Sequence, residues 1–345
     1  MSSIFNRRQF LQTFALSAVA TQLPQFAQAN VSPKTLLKPP RLQVGDTVGL
    51  INPASYLQPQ DLEEIRQNLT ALGLKVKLGK HVLDRYGYLA GTDANRAADV
   101  NAMFADDSVQ AIFTARGGWG CNRILPLVNY ELMRSHPKIL MGFSDITSLL
   151  LAIYTHSGVV TFHGPVGTSS WNPFTVEYVK RILFNGEAIA MQNPTITNTL
   201  VKTITPGKAR GKLIGGNLSV LTAMLGSSYL PSWKNNILFI EEIGEEVYRI
   251  DRMLTQLKIA GILNQISGFI FGQCTNCEPK GNDDSLTLMQ VLNDHLQPLG
   301  IPAWHGSMIG HIRDKFTLPV GISVEIDATA GTIQMLESAV TSSIR

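Results

Sequence analysis

Short apolar runs alternate along the first half of the chain with stretches in which apolar residues recur every three or four positions. The first pattern predicts buried strands and the second predicts helices. In chain order these are a strand at 46–52, helices at 58–72 and 96–104, strands at 109–115 and 138–143, and a helix at 147–156. Such alternation predicts an α/β fold with a parallel sheet covered by helices on both faces. Ligands of these sheets bind beyond the carboxyl ends of the strands.

The pattern loosens between about 159 and 206, where asparagine, proline and threonine interrupt the apolar runs, and alternation then resumes. The second half predicts strands at 207–216, 236–240 and 268–272, helices at 217–225, 249–260 and 285–296, and a strand-rich tail at 316–336. We therefore divide the mature chain into an N-terminal domain at 41–165, a linker or crossover at 166–206 and a C-terminal domain at 207–340.

Residues 1–29 have the three-part pattern of a cleavable export signal. Arg7 and Arg8 precede a mostly apolar stretch at 10–20, and the small residues Ala27 and Ala29 suit a signal peptidase. The paired arginines resemble the twin-arginine signal, which a receptor reads. The apolar stretch is well short of the roughly 20 residues that span a bilayer, so an uncleaved anchor is disfavoured. We expect a soluble periplasmic protein without stable membrane insertion.

The composition is that of a globular protein, with 44% hydrophobic and 16% charged residues among 345. A chain of this length exceeds the roughly 100 to 200 residues of one domain, which supports the division into two. The net charge of +3 is spread without a basic block, so neither nucleic acid nor an anionic membrane is an expected partner. Three cysteines are too few for a disulfide framework, and Cys274 and Cys277 alone supply too few ligands for a metal. The role of this pair stays open.

Two loops that follow predicted strands of the first half carry candidate reactive or binding groups. Ser144 lies between a strand and a helix, where a sharp turn exposes a hydroxyl and the helix start offers N–H groups to an oxyanion. Ile146 replaces the second glycine of the G-x-S-x-G pattern, and a helix-capping serine is the commoner role at such a position. Arg116 precedes a glycine-rich turn at 117–120, so it could bind a substrate carboxylate or be a solvated arginine.

The second half supplies candidate partners for the serine. Glu241 and Glu242 follow a predicted strand, and the first acid of such a pair is the one expected to point at a site and orient a histidine. Both could equally belong to a solvated loop. His311 follows a glycine in a loop before the last strands, although a lone histidine is more often structural. The histidines that compete with it are His156, His163 and His305.

Four segments of the chain can be compared together. They are Arg-Gly-Gly-Trp-Gly at 116–120, Gly-Phe-Ser-Asp-Ile-Thr at 142–147, Leu-Phe-Ile-Glu-Glu at 238–242 with Tyr-Arg-Ile-Asp-Arg-Met-Leu at 248–254, and Gly-His at 310–311. In this order and spacing they closely resemble the LD-carboxypeptidase family, which includes muramoyl-tetrapeptide carboxypeptidases and microcin C immunity peptidases. The resemblance extends from about Arg41 to Leu336, nearly the whole mature chain.

This resemblance implies a serine carboxypeptidase with a Ser-Glu-His triad made of Ser144, Glu241 and His311. It implies an oxyanion hole formed by the backbone N–H groups of Gly118 and Asp145. The implied fold is a Rossmann-like N-terminal domain with a smaller C-terminal domain of swivelling, barrel-like β/α type. A homodimer is also implied, with no metal or organic cofactor. The expected reaction is release of the terminal D-Ala from a murein tetrapeptide through an acyl-enzyme, in peptidoglycan turnover or recycling.

The glycine-rich turn supplies the expected substrate contacts. Gly117 allows the substrate to approach the backbone, and we hypothesise that Arg116 binds the terminal carboxylate.

Three other functions compete with this one. A microcin C-type immunity hydrolase of peptidyl- or aminoacyl-nucleotides would act on a toxin of the cytoplasm, which the export signal disfavours. A non-catalytic muropeptide-binding protein would have no need of all three triad residues. An ordinary α/β-hydrolase would have the G-x-S-x-G pattern, from which Ile146 departs.

Overall fold

The fold is described by a computed structural model that covers residues 35–194, 201–277 and 284–342. The predicted export signal at 1–29 therefore lies outside the described residues. The strands are β1 Thr47–Ile51, β2 Lys75–Leu78, β3 Ala111–Thr114, β4 Ile139–Gly142, β5 Thr161–His163, β6 Ala190–Gln192, β7 Lys202–Thr205, β8 Lys208–Asn217, β9 Ile237–Ile243, β10 Gly268–Thr275, β11 Ala303–His305, β12 Leu318–Val320, β13 Ser323–Asp327 and β14 Thr332–Met335.

The helices are short, and most of them connect consecutive strands. They are α1 Pro59–Ala71, α2 Asp93–Ala105, α3 Cys121–Ile124, α4 Tyr130–Ser135, α5 Thr147–Ser157, α6 Pro173–Val179, α7 Leu218–Ala223, α8 Val247–Ile259 and α9 Leu288–Leu296. Within the described ranges, no helix is long and apolar enough to cross a bilayer.

The first sheet has six strands in the order β12-β5-β4-β3-β1-β2, and strands β1 to β5 all run parallel. This confirms the α/β fold and the parallel N-terminal sheet that the alternating pattern predicts. All residues of β3 and β4 are buried, in agreement with their continuous apolar runs, since both faces of a parallel sheet are covered. Because β3 and β4 are parallel neighbours, the loops that follow them lie side by side at one edge of the sheet.

One strand of the first sheet comes from near the end of the chain. β12 lies antiparallel to β5, with Leu318 opposite His163 and Val320 opposite Thr161. All three residues of β12 are buried. The first sheet is therefore completed by a strand that follows His311 in sequence, and this strand ties the two halves of the protein together.

The second sheet has eight strands in the order β6-β14-β13-β8-β9-β10-β11-β7. Its long strand β8 pairs antiparallel with β13 through 208–212 and parallel with β9 through 213–217. Strands β10 and β11 continue the parallel part, whereas β14, β6 and β7 add antiparallel edges. The edge strands β6 and β7 do not pair with each other in the part of the chain that the structure describes, so barrel closure is not observed.

The segment between the two sheets has more regular structure than its loose sequence pattern predicts. Residues 166–206 include α6, β6 and β7. α6 begins after Asn172, whose side chain caps it by accepting a hydrogen bond from Thr175 N. β6 and β7 are three and four residues long and bury one residue each, Met191 and Ile204. Apolar patterns this short cannot be separated from loops in sequence.

Candidate active site

Ser144 lies at a sharp turn between β4 and α5. β4 ends at Gly142, Phe143 is extended, and a 3₁₀ turn at Ser144–Ile146 leads into α5. The backbone of Ser144 has a φ of 63°, a left-handed conformation that costs free energy for a residue with a side chain. A Cβ at Gly142 would lie 2.3 Å from Thr114 Oγ1, so this turn requires glycine there. Strain at a strand-to-helix turn is typical of an exposed nucleophile.

The structure does not use Ser144 as a helix cap. Phe143 and Ile146 occupy the positions before the 3₁₀ turn and before α5, and the side chain of Ser144 caps neither element. Its hydroxyl is therefore not committed to the backbone of the helix that follows.

The glycine-rich turn after β3 packs directly against Ser144. A Cβ at Gly117 would lie 2.9 Å from Ser144 Cβ and 3.0 Å from its Oγ. Gly118 has a φ of 119°, and a Cβ there would lie 2.0 Å from Ser55 Oγ. Ser55 holds the turn, because its N–H donates to the Gly117 carbonyl at 3.4 Å and its hydroxyl accepts from Trp119 N at 3.2 Å. Only glycine permits this backbone to approach the serine so closely.

The two backbone amides predicted for an oxyanion hole lie on adjoining turns. Among the described residues, neither the N–H of Gly118 nor that of Asp145 donates to a protein acceptor. For Asp145 the reason is its place in the first turn of a helical segment, where N–H groups have no carbonyl within reach. Its carboxylate accepts from Cys121 N at 2.8 Å, which links the serine turn to the chain just after the glycines. Burial raises the pKa of Asp145 despite this donor.

Arg116 lies on the same turn as the glycines and is half-buried. Its Nη1 donates to the carbonyl of Tyr56 at 3.0 Å, which uses one of the five N–H groups of the guanidinium. The ring of Tyr56 is covered in turn by Arg85, whose guanidinium carbon lies 4.0 Å from the ring centre. Arg116 therefore joins the glycine-rich turn to the chain at Tyr56, and it has further N–H groups that could bind a ligand.

Glu241 and His311 are brought together although 70 positions separate them in sequence. Glu241, on β9, is fully buried, and its Oε2 lies 2.7 Å from His311 Nδ1. An ionised carboxylate can only accept, so Nδ1 carries the proton and Nε2 is the basic nitrogen. Burial acts to raise the pKa of Glu241, but the hydrogen bond and attraction of His311 hold that pKa below its ordinary value. A Cβ at Gly310 would lie 2.8 Å from Oε2, so glycine must precede the histidine.

The neighbouring acid, Glu242, points to the other face of β9, as successive residues of a strand do. Its carboxylate accepts from the N–H and the hydroxyl of Ser219, at 2.8 and 2.6 Å, and from Asn217 Nδ2 at 3.1 Å. Burial raises the pKa of Glu242. The first acid of the pair, as the sequence predicted, is the one that meets a histidine.

A disulfide-closed turn supports the loop that carries His311. Cys274 and Cys277, whose role the sequence left open, form a disulfide at the end of β10 with their Cα atoms 5.5 Å apart. Between them, Thr275 donates its hydroxyl to the backbone carbonyl of His311 at 2.8 Å. In the described ranges, no three His, Cys, Asp or Glu side chains are grouped as metal ligands. The two cysteines therefore act as a crosslink next to the histidine loop.

The serine turn and the histidine loop meet where the two sheets adjoin. The ring centroids of Phe143 and His311 are 4.8 Å apart. At the start of α5, Thr147 Oγ1 accepts from Asn217 N at 2.9 Å, which docks the helix after the serine onto the end of β8. No hydrogen bond joins Ser144 to His311 in the described structure. Hydrogen bonds between catalytic groups are often long before a substrate is bound.

The other candidate histidines have different surroundings from His311. His156 and His305 pack against tyrosine and phenylalanine rings. His163 lies nearer, with its ring centroid 6.0 Å from that of Phe143, and burial lowers its pKa to about 4. Neither of its ring nitrogens has a hydrogen-bond partner on a described residue. His163 is therefore a neutral packing residue beside the site.

Lys315 is the residue near the site that sequence reasoning missed. It is 5% exposed, and its Nζ lies 4.5 Å from the ring centre of Phe143. The signal that could have found it is its place in the short segment between His311 and β12. Both ends of that segment are anchored in the protein interior, so a lysine between them is constrained to lie near the site.

Comparison with known proteins gives matches over most of the chain. Family profiles match the LD-carboxypeptidase N-terminal domain over residues 48–164 and the LD-carboxypeptidase C-terminal domain over 210–326. A Bacillus subtilis protein named "Probable murein peptide carboxypeptidase" is 42% identical over 308 residues, which are 88% of this chain and 95% of that one. The "Murein tetrapeptide carboxypeptidase" of Pseudomonas aeruginosa is 32% identical over 283 residues, 79% and 91% of the two chains. Among solved structures, the microcin C7 self immunity protein MccF in its wild-type apo state matches with a TM-score of 0.81 and 27% identity, covering 88% of this chain and 100% of that one.

Proposed function

Because this chain belongs to the LD-carboxypeptidase family, we propose that it is a serine carboxypeptidase that releases the terminal D-Ala from murein tetrapeptides. The observation that carries the proposal is the buried Glu241–His311 pair beside a turn that holds Ser144 in a strained conformation. The 42% identity with the Bacillus subtilis relative supports murein peptides as the substrate class. The family and the names of the murein relatives support peptide hydrolysis as the reaction class.

In the proposed mechanism, Nε2 of His311 removes the hydroxyl proton of Ser144, and the alkoxide attacks the scissile carbonyl carbon. The carbonyl oxygen becomes an oxyanion, to which the N–H groups of Gly118 and Asp145 donate. Glu241 stabilises the imidazolium through Nδ1 without taking its proton. The imidazolium then protonates the leaving amine and D-Ala departs. Water, activated by the neutral imidazole, hydrolyses the acyl-enzyme and restores the serine.

The mature protein, incubated with L-Ala-γ-D-Glu-meso-diaminopimelyl-D-Ala, should release free D-Ala, which mass spectrometry detects. The same peptide ending in L-Ala is the matched control and should react far more slowly, because the leaving residue presents its carboxylate and methyl group to the site in exchanged positions. Intact tetrapeptide after prolonged incubation would contradict the proposed function.

MccF, which has been solved in complex with aspartyl sulfamoyl adenosine and with glutamyl sulfamoyl guanosine, supports a second candidate, hydrolysis of an aminoacyl-sulfamoyl nucleotide. Aspartyl sulfamoyl adenosine belongs in the same assay as a competing substrate. Cleavage of the nucleotide with no release of D-Ala from the tetrapeptide would favour this second candidate over the first.

Thr275→Val should lower kcat for D-Ala release by about five- to thirtyfold with little change in KM. Without the hydrogen bond to the His311 carbonyl, the imidazole is held less firmly in position, whereas the substrate contacts stay in place. Thr275→Ser keeps the hydroxyl and should retain most of the wild-type kcat. Steady-state kinetics without added reductant compare the three proteins. A loss in Thr275→Ser alone, with Thr275→Val fully active, would mean that the methyl group matters here and the hydrogen bond does not.

A further inference from the structure

Lys315 is a buried cation without a direct partner. The residue is 5% exposed, and its Nζ makes no hydrogen bond to any residue that the structure describes. Nζ is not completely sealed from solvent, so the ammonium group keeps a path to water. Burial of an unpaired charge costs free energy, and buried charges are ordinarily paired. A cation held in this way is suited to pair with an anion that arrives from outside the protein.

The groups that face Lys315 leave its charge uncompensated. Glu241 attracts it, but that carboxylate is hydrogen-bonded to His311 at 2.7 Å. His163 is neutral, because burial lowers its pKa to about 4. The nearest ring is that of Phe143, which offers only the weak attraction of an aromatic face.

The position of Lys315 relates it to the predicted nucleophile and base. Phe143 directly precedes Ser144, and its ring lies 4.5 Å from Lys315 Nζ and 4.8 Å, between centroids, from the ring of His311. The ammonium group and the imidazole therefore both contact the ring of Phe143. In an amide that ends in a free amino acid, the carboxylate is only two bonds from the scissile nitrogen. A cation that binds this carboxylate has to lie close to the serine, and Lys315 contacts the ring of the residue that directly precedes it.

We propose that Lys315 is a specificity-determining residue whose ammonium group binds the free carboxylate next to the scissile amide. This inference rests on the proposed carboxypeptidase function. Arg116 is the other candidate for this contact, but its Nη1 already donates to the Tyr56 carbonyl. Lys315 Nζ makes no such hydrogen bond within the described residues. Because Lys315 is buried, it attracts an incoming carboxylate more strongly than an exposed lysine would.

The test compares two substrates, the tetrapeptide with a free terminal carboxylate and the same peptide with a terminal carboxamide. The wild type should prefer the acid, by about 100-fold in kcat/KM, since a charge-assisted hydrogen bond to a buried cation is lost with the amide. Lys315→Met should bring the ratio of the two kcat/KM values close to one, mainly because kcat/KM for the acid falls. Lys315→Arg should keep a preference for the acid, because it keeps the charge. Arg313→Met, which removes an exposed cation two positions away, should leave the preference unchanged.

The pH dependence gives a second readout. Burial lowers the pKa of Lys315 to about 8, and the nearby Glu241 opposes this only in part. The ammonium form of the free enzyme is therefore lost as the pH rises through 8. We expect KM of the wild type for the acid to rise above pH 8 and KM for the amide to stay flat there. In Lys315→Met the rise should be absent for both substrates.

Each outcome separates this inference from its alternatives. An equal fall in kcat/KM for the acid and the amide in Lys315→Met would overturn the inference, because a structural or purely electrostatic role affects both substrates alike. If Arg116→Ala lost the preference for the acid and Lys315→Met kept it, binding of the carboxylate would be assigned to Arg116 instead. Failure of the wild type to release D-Ala from the acid would remove the proposed function, and this inference with it.

Discussion

Replacing Ser144 with alanine should lower kcat for D-Ala release by about 10⁴-fold or more. The hydroxyl that forms the acyl-enzyme is removed, and of residues 143–146 in the turn between β4 and α5, Ser144 alone has a left-handed φ. The N–H donors of Gly118 and Asp145 remain, so a residual rate above that in water is expected. Steady-state assays at high enzyme concentration, with mass detection of D-Ala, measure the loss.

Two controls make this result specific to the nucleophile. Ser148→Ala removes a serine of the helix that follows, α5, whose hydroxyl donates to the Asp145 carbonyl at 3.1 Å, and it should keep most of the activity. Ser144→Ala should bind the tetrapeptide with an affinity close to the wild-type KM, because no substrate-binding group is lost. Retention of a tenth of the wild-type rate by Ser144→Ala would assign the attack to another group.

The second large effect is expected from Glu241→Gln, which should lower kcat by about 10³- to 10⁴-fold. The fully buried carboxylate accepts the Nδ1 proton of His311 and thereby keeps Nε2 free as the base. A glutamine amide can donate to Nδ1 instead, and the proton then moves to Nε2, where it blocks removal of the serine proton. KM should change little. Kinetics with the tetrapeptide, together with NMR of the His311 ring nitrogens, measure both the rate and the position of the proton.

Glu242→Gln is the matched control for this substitution. It changes the adjacent residue of the same strand, whose carboxylate binds Ser219 and Asn217 on the other face of β9. We expect a modest effect on kcat and the wild-type tautomer at His311. If Glu242→Gln lost activity as severely as Glu241→Gln, the assignment of the orienting acid would be wrong.

The elements that the sequence predicted well are those with complete apolar patterns. β3 and β4 are buried on both faces and give continuous apolar runs. β2, with the sequence Lys-Val-Lys-Leu, is an edge strand with mostly exposed side chains, so its apolar signal is too weak to separate it from a loop. β12 could be predicted as a strand, but its membership of the first sheet depends on packing between distant parts of the chain.

The candidate site shows the same division between local and tertiary information. From local pattern alone, Ser144 is better explained as a helix cap, and the comparison of four motifs with a known family was needed to choose the nucleophile. The pairing of Glu241 with His311 arises where β9 meets a distant loop, which no local pattern encodes. Lys315 was missed because a lysine in a polar loop is ordinarily exposed, and only packing buries it. The catalytic roles, the export signal and the homodimer stay predictions.

The late position of β12 also governs when the protein can work during its synthesis. One side of β5 can pair only after residues 318–320 have been made. A ribosome that adds about 5 to 20 residues per second reaches them roughly 8 to 30 s after His163. Until then β5 is unpaired on one side, and the histidine loop, which is made just before β12, is not anchored beside the serine turn. We therefore expect incomplete chains to be inactive, since a chain truncated before β12 lacks the sixth strand of the first sheet and an assembled site.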